Sequence, residues 1–112
     1  MRSIAALAVV VTCCLLGNAA IAAQRPVLCK LVVEGNTYID GKCDYESDPD
    51  GSFRIFGAIY FAYVDVNGDT AEATWNANPK SLHAGAPLGT LTRKGACWEN
   101  ATTQICVRPA KK

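Results

Sequence analysis

Short runs rich in β-branched and aromatic residues follow one another through the chain, separated by Gly, Asn and Asp. Within these runs apolar and polar side chains alternate, as expected where successive side chains point to opposite faces of a sheet. No stretch keeps a helical period over three turns. The pattern predicts an all-β fold: a small antiparallel sheet, barrel-like and built from hairpins.

The first predicted hairpin joins Val27–Val33 to Tyr38–Tyr45 through a turn at Gly35–Thr37. A register that pairs Glu34 with Tyr38 places Cys29 opposite Cys43 and collects the apolar side chains on one face. The apolar pattern, the turn and the cysteines therefore agree on one register.

The second predicted hairpin runs from Ala58–Val66 to Asp69–Trp75 through Asn67-Gly68, a pair typical of type I′ turns. This register makes one apolar face, on which Tyr60 lies opposite Trp75. The other face is mixed and carries Phe61, Tyr63, Asp65, Glu72 and Thr74.

A polar connecting loop is predicted over Asn76–Pro87, followed by a strand over Leu88–Lys94. The last predicted hairpin joins Ala96–Glu99 to Gln104–Val107, with its turn within Asn100–Thr103. Its symmetric register places the two cysteines of these strands opposite each other.

The N-terminal segment has the layout of a secretory signal: Arg2, then the apolar run Ile4–Leu16, then small residues. Cleavage is predicted after Ala22 or Ala23. A membrane anchor is the weaker alternative, because Gly17-Asn18 interrupts the apolar run well before the roughly 20 residues that a span needs.

Residues 1–23 are therefore interpreted as a signal peptide and residues 24–112 as a single domain. The chain has 11 Lys and Arg against 10 Asp and Glu, and removal of Arg2 balances them. This balance argues against nucleic acid as a partner and against stable membrane insertion after cleavage.

Four of the six cysteines follow the cleavage site, which indicates two disulfides formed in an oxidising compartment, the periplasm or the exterior. Four cysteines permit three pairings. The hairpin registers favour Cys29–Cys43 and Cys97–Cys106, and each bridge would stabilise so small a domain by roughly 3 kcal/mol.

The most distinctive motifs are Tyr38–Cys43, Asp48–Phe53, Trp75-Asn76, His83-Ala84, Leu88–Leu91, Gly95–Trp98 and Ile105-Cys106. With them the chain resembles a group of small uncharacterised exported cysteine-containing proteins of Gram-negative bacteria. The resemblance implies export and a cysteine-stapled domain, and it carries over no activity. Small periplasmic lysozyme inhibitors share this size and compartment, but their signature segments are not visible in this sequence.

The acidic run Glu46-x-Asp48-x-Asp50-Gly51 imitates the start of a calcium loop. The imitation fails at Gly57, where a bidentate Glu belongs, so a solvated turn is the favoured interpretation. Glu46, Asp48 and Asp50 remain a weak alternative set of metal ligands, and no cofactor is expected.

His83 is the only histidine, and no hydrolase or phosphate-loop motif accompanies it, so no catalytic residue is assigned. Trp75, Trp98, Tyr60 and Tyr63 form either core or an aromatic platform. His83, Arg93 and Trp98 form a candidate contact patch, because Trp and Arg are enriched among binding hot spots. The favoured alternative for the loop that holds His83 is a solvated connector held by Pro79 and Pro87.

These features favour a non-enzymatic periplasmic or secreted module that binds or inhibits an envelope or host protein. One alternative is a small exported hydrolase or metal-dependent enzyme that uses His83 and the acidic loop. The other is a structural envelope protein.

Overall fold

The structure is a computed structural model that describes residues 27–110, so the predicted signal peptide lies outside the described residues. The strands are β1 (Val27–Val33), β2 (Asn36–Ser47), β3 (Phe53–Phe56), β4 (Phe61–Asn67), β5 (Thr70–Trp75), β6 (Ala86–Lys94), β7 (Cys97–Glu99) and β8 (Thr103–Pro109). Each strand pairs antiparallel with the next, and β8 pairs with β1, so the sheet closes into a barrel. The predicted all-β, barrel-like fold is confirmed.

Alternate side chains of every strand fill the barrel interior. The core comprises Val27, Cys29, Leu31, Ile39, Phe53, Ile55, Ala62, Val64, Ala71, Ala73, Trp75, Leu88, Leu91, Trp98 and Ile105. An eight-stranded barrel is just wide enough for side chains to fill it. The interior is therefore a packed, mainly apolar core.

Because successive strands run in opposite directions, their connections alternate between the two ends of the barrel. We call the end with connections 34–35, 57–60, 76–85 and 100–102 the upper end. The lower end holds connections 48–52, 68–69 and 95–96. This division decides which predicted site residues can meet.

The first hairpin differs from the predicted register by two residues. Its turn is Glu34-Gly35, with φ of 52° and 83°, and the register then shifts between Leu31 and Val32. The tighter turn alone would move the cysteine of β2 to the other face, but this bulge restores it. Cys43 thus faces Val27 directly, and it still forms the predicted disulfide with Cys29, at a Cα–Cα distance of 5.8 Å.

The second hairpin is also shifted by two residues from the prediction. The turn is formed by Gly68-Asp69, and only Gly68 has positive φ, as in a type II′ turn. Ala62 therefore faces Trp75, and Tyr60 lies before β4. The predicted assignment of side chains to the two faces of this hairpin is nevertheless correct, because a register shift of two residues preserves the alternation.

The last hairpin has the predicted register, with Cys97 opposite Cys106 and Trp98 opposite Ile105. Both predicted disulfides are present. They indicate an oxidising, extracytoplasmic environment. Among residues 27–110, no helix is long and apolar enough to cross a membrane.

Two strands are much shorter than their neighbours, and side chains satisfy some of the backbone groups that these strands do not reach. β3 pairs with β4 only as far as Val64, and beyond it the Val66 N–H donates to Ser52 Oγ (2.8 Å). At the other end of β4, just beyond the last β4–β5 pair (Ala62 with Trp75), the Phe61 N–H donates to Asn76 Oδ1 (2.6 Å), and Asn76 Nδ2 donates to the Ile59 carbonyl. Ser52 and Asn76 are buried for this reason.

Asn100 fills the second gap, where β7 pairs with only the last three residues of β6. Its Nδ2 donates to the carbonyls of Leu88 (2.9 Å) and Thr90 (3.2 Å). Its Oδ1 accepts the backbone N–H groups of Thr102 and Thr103, both at 2.9 Å. One side chain thus replaces strand pairing and also closes the β7–β8 turn.

Substitution of Asn100 by Ala should leave these backbone groups without protein partners. We expect a loss of about 1–3 kcal/mol, seen as a fall in Tm of roughly 5–15 °C by circular dichroism. Asn78→Ala is the matched control, since Asn78 accepts one bond from Lys80 N in an exposed loop, and it should shift Tm by no more than about 3 °C. Equal melting of the two variants would contradict this role for Asn100.

Candidate functional site

The predicted contact patch of His83, Arg93 and Trp98 is not assembled. His83 lies in the 76–85 connection at the upper end, whereas Arg93 and Trp98 lie near the lower end. The β6 residues that precede Arg93, from Ala86 onward, separate it from the His83 loop by roughly 23 Å at the usual strand rise. The three side chains therefore cannot contact one small partner surface together.

Trp98 belongs to the core, with only 5% of its surface exposed, so the expectation that it lies on the surface is wrong. Its strand partner Arg93 places its guanidinium carbon 5.8 Å from the Trp98 ring centroid. Arg93 Nε also donates to the Gly95 carbonyl (3.2 Å). Arg93 therefore covers the lower end of the core through a cation–π contact.

His83 is exposed. Its backbone N–H donates to Ser81 Oγ (3.2 Å), and its backbone carbonyl accepts a hydrogen bond from the Ser81 hydroxyl (3.0 Å). The acidic loop 48–52 lies at the opposite end of the barrel. The alternative enzyme that combined His83 with this loop therefore has its two parts separated by the packed core.

Arg54 holds two of the carboxylates that were weak candidates for metal binding. Its Nε lies 3.0 Å from Glu46 Oε1, and its Nη1 and Nη2 each lie 3.2 Å from an oxygen of Asp48. The bonds to Asp48 and then to Glu46 raise the pKa of Arg54 above its ordinary value. These two acids are thus engaged by a cation of the chain itself.

Asp50, the third carboxylate, forms a local turn: it accepts the Ser52 N–H at 2.9 Å, and this bond lowers its pKa from 3.8. A lowered pKa means that ionised Asp50 stabilises the fold above its ordinary pKa, and that this contribution disappears as pH falls through the lowered value. Among residues 27–110, no group of three or more His, Cys, Asp or Glu is placed to hold a metal ion.

The four aromatic residues expected to form either core or a platform are divided between the two sides of the barrel wall. Trp75 lies in the core, and Tyr38 and Tyr60 pack against it, with ring centroids 4.7 Å and 5.7 Å from that of Trp75. Tyr63 alone of the four predicted aromatics faces outward and is exposed. The upper part of the core is thus closed by three aromatic rings.

Outside the barrel, Tyr63 joins Phe56 and Phe61 in what we call the outer aromatic cluster. The register pairs Phe56 with Phe61, and Tyr63 follows on the same face of β4. The three ring centroids lie 5.9–6.2 Å apart. The mixed outer face of β4 was expected from the sequence, but Phe56 was missed because β3 has only four residues.

An open groove of about 370 Å³ adjoins this cluster. It is lined by Val27, Lys42, Cys43, Asp44, Phe56, Gly57 and Ala58. The groove crosses β2 at the point where its partner changes from β1 to β3. Ile59, which follows the groove residues in the chain, is 59% exposed. Aromatic rings, a groove and an exposed aliphatic side chain therefore lie close together on one side of the barrel.

Comparison of the chain with protein-family models, with curated proteins and with solved structures finds no match in any of the three. The resemblance to exported proteins of Gram-negative bacteria therefore stays a prediction. The outer aromatic cluster is identified from the geometry of this chain.

Because Arg54 occupies two of the carboxylates of the acidic loop, calcium should not stabilise the protein. We expect no change in Tm at millimolar calcium relative to buffer with chelator. A site whose Kd lay 100-fold below the applied calcium concentration would raise the free energy of unfolding by about 2.7 kcal/mol, and the resulting rise in Tm would be readily measured. An upward shift in Tm that is lost in Asp48→Asn would show that the loop does bind calcium.

Proposed function

We propose that the protein is a non-enzymatic binding module of the periplasm or the cell exterior, which docks an envelope or host protein through the outer aromatic cluster. The single observation that carries this proposal is the outward position of Phe56, Phe61 and Tyr63. Large apolar side chains grouped on a surface mark interaction sites more often than single exposed ones do.

The barrel does not need these three rings for its own core, since the interior is filled from the opposite faces of the same strands. Covering them with a partner would remove aromatic area from water, worth roughly 25 cal/mol per Å². Tyr in particular offers apolar area together with a hydroxyl that can pair at an interface. Tyr and Phe are among the residues enriched in protein–protein interfaces, and the cluster consists of these two types.

The proposed compartment is supported by the chemistry of the cysteines. The two disulfides require oxidising conditions, and the N-terminal segment has the order of a secretory signal. A binding module exported in this way meets envelope proteins and the proteins of the surroundings.

The experiment compares Tyr63→Ser with Leu28→Ser, which are matched in exposure at 38% and 39%. Leu28 lies on β1, three strands away from Tyr63 around the barrel. Immobilised variants are used to capture proteins from envelope extract and host fluid, and affinity for any recovered species is then measured. We expect Tyr63→Ser to weaken binding at least about tenfold, and Leu28→Ser to leave it unchanged, with the same Tm in both.

Binding that survives Tyr63→Ser, or that is lost equally in Leu28→Ser, would show that the outer aromatic cluster is not the docking surface. Circular dichroism melting of both variants separates loss of contact from loss of fold.

A further inference from the structure

The small net charge of the chain, +1, conceals a division of charge around the barrel. We call β2–β5 with their connecting turns the acidic half: it holds Asp40, Asp44, Glu46, Asp48, Asp50, Asp65, Asp69 and Glu72. The remaining strands and loops, the basic half, hold Lys30, Lys80, Arg93, Lys94 and Arg108. Since the strands form a closed ring in chain order, the two halves lie on opposite sides.

The outer aromatic cluster lies within the acidic half. Asp44 is the strand partner of Phe56, and Asp65 follows Tyr63 on the same face of β4. Glu72 is in turn the strand partner of Asp65. These three carboxylates border the rings on two sides.

Few cations of the chain offset these acids. Within residues 36–75 the basic residues are Lys42 and Arg54, and Arg54 already holds Glu46 and Asp48. Arg54 is the strand partner of Tyr63, but it is paired with two of the acids. Because acids outnumber bases in this half, a negative field over the rings is expected. A partner with negative charge, such as nucleic acid or an anionic lipid surface, would be repelled from this face.

Lys and Arg side chains suit both parts of this surface. Their charged ends pair with the carboxylates at the edge, while their aliphatic stems and cationic groups pack over aromatic rings. Charges at the edge of an interface also steer a partner of opposite sign towards it and raise the rate of association.

We infer that the partner docked by the outer aromatic cluster is a cationic polypeptide, which presents Lys or Arg together with apolar side chains. This inference rests on the proposed function, because it assumes that the cluster is the docking surface. It adds the charge and chemical class of the partner.

The test uses short fluorescent peptides that alternate Leu with Lys, with Ser or with Glu, titrated with the protein beginning at residue 24. The Lys peptide should bind at least about tenfold tighter than the Ser peptide, and the Glu peptide weakest. Added salt should weaken binding of the Lys peptide, because the carboxylates involved are exposed.

Two double variants locate the effect. Asp65→Asn with Glu72→Gln removes two charges beside the rings. This double variant should bind the Lys peptide at least about threefold more weakly and bind the Ser peptide with unchanged affinity. Glu34→Gln with Glu99→Gln removes the two described acids outside the acidic half and should leave both affinities unchanged. Melting curves confirm that each variant is folded.

The outcomes separate this inference from the proposed function. Equal binding of the Lys and Glu peptides would overturn the cationic partner, while a captured protein that depends on Tyr63 would leave the docking function intact. Preference for the Lys peptide that does not change in Tyr63→Ser would instead overturn docking by the aromatic cluster. The inference and the proposed function are both supported if binding of the Lys peptide is weakened by Asp65→Asn with Glu72→Gln and by Tyr63→Ser, but not by Leu28→Ser.

Discussion

Closure of the barrel depends on satisfying backbone groups where its short strands end. β3 and β7 have four and three residues, so they cannot pair along the full length of their neighbours. Buried N–H and C=O groups without partners are costly, and the side chains of Ser52 and Asn100 supply partners beside these short strands. Asn76 does the same where the pairing of β4 with β5 ends. With the ring closed in this way, alternate side chains of all eight strands can fill a single core.

The same closure positions the candidate site. β4 carries Phe61 and Tyr63, and it is held at one end by Asn76 and at the other by Ser52. The strand is thus fixed in register while its inward side chains pack the core and its outward rings, half-buried Phe61 and exposed Tyr63, lie on the barrel surface. A rigid strand presents aromatic side chains with little loss of conformational freedom on binding, which favours affinity. Closure of the fold and presentation of the outer aromatic cluster therefore rest on the same hydrogen bonds.

The sequence predicted which face each side chain takes better than it predicted strand register or the site. The alternation of apolar and polar residues and the positions of the cysteines correctly predicted the inward faces and both disulfides. A shift of two residues in hairpin register changes neither of these. The registers of two hairpins were wrong, since the positive φ of Glu34 and the shift of the second turn to Gly68-Asp69 have no clear sequence signal. The predicted patch is not formed, because His83 precedes β6 whereas Arg93 lies near the far end of that strand. Phe56 was missed because it lies in a strand too short to show an alternating pattern.

The proposed docking surface lies on the acidic, aromatic side of the barrel wall rather than at its ends. Amide chemical-shift mapping of the isotope-labelled protein, titrated with the alternating Lys–Leu peptide, tests this most directly. We expect the largest chemical-shift changes on β3 and β4, around Phe56, Phe61 and Tyr63. Shifts confined to the upper loop around His83, or to β6–β8, would contradict it.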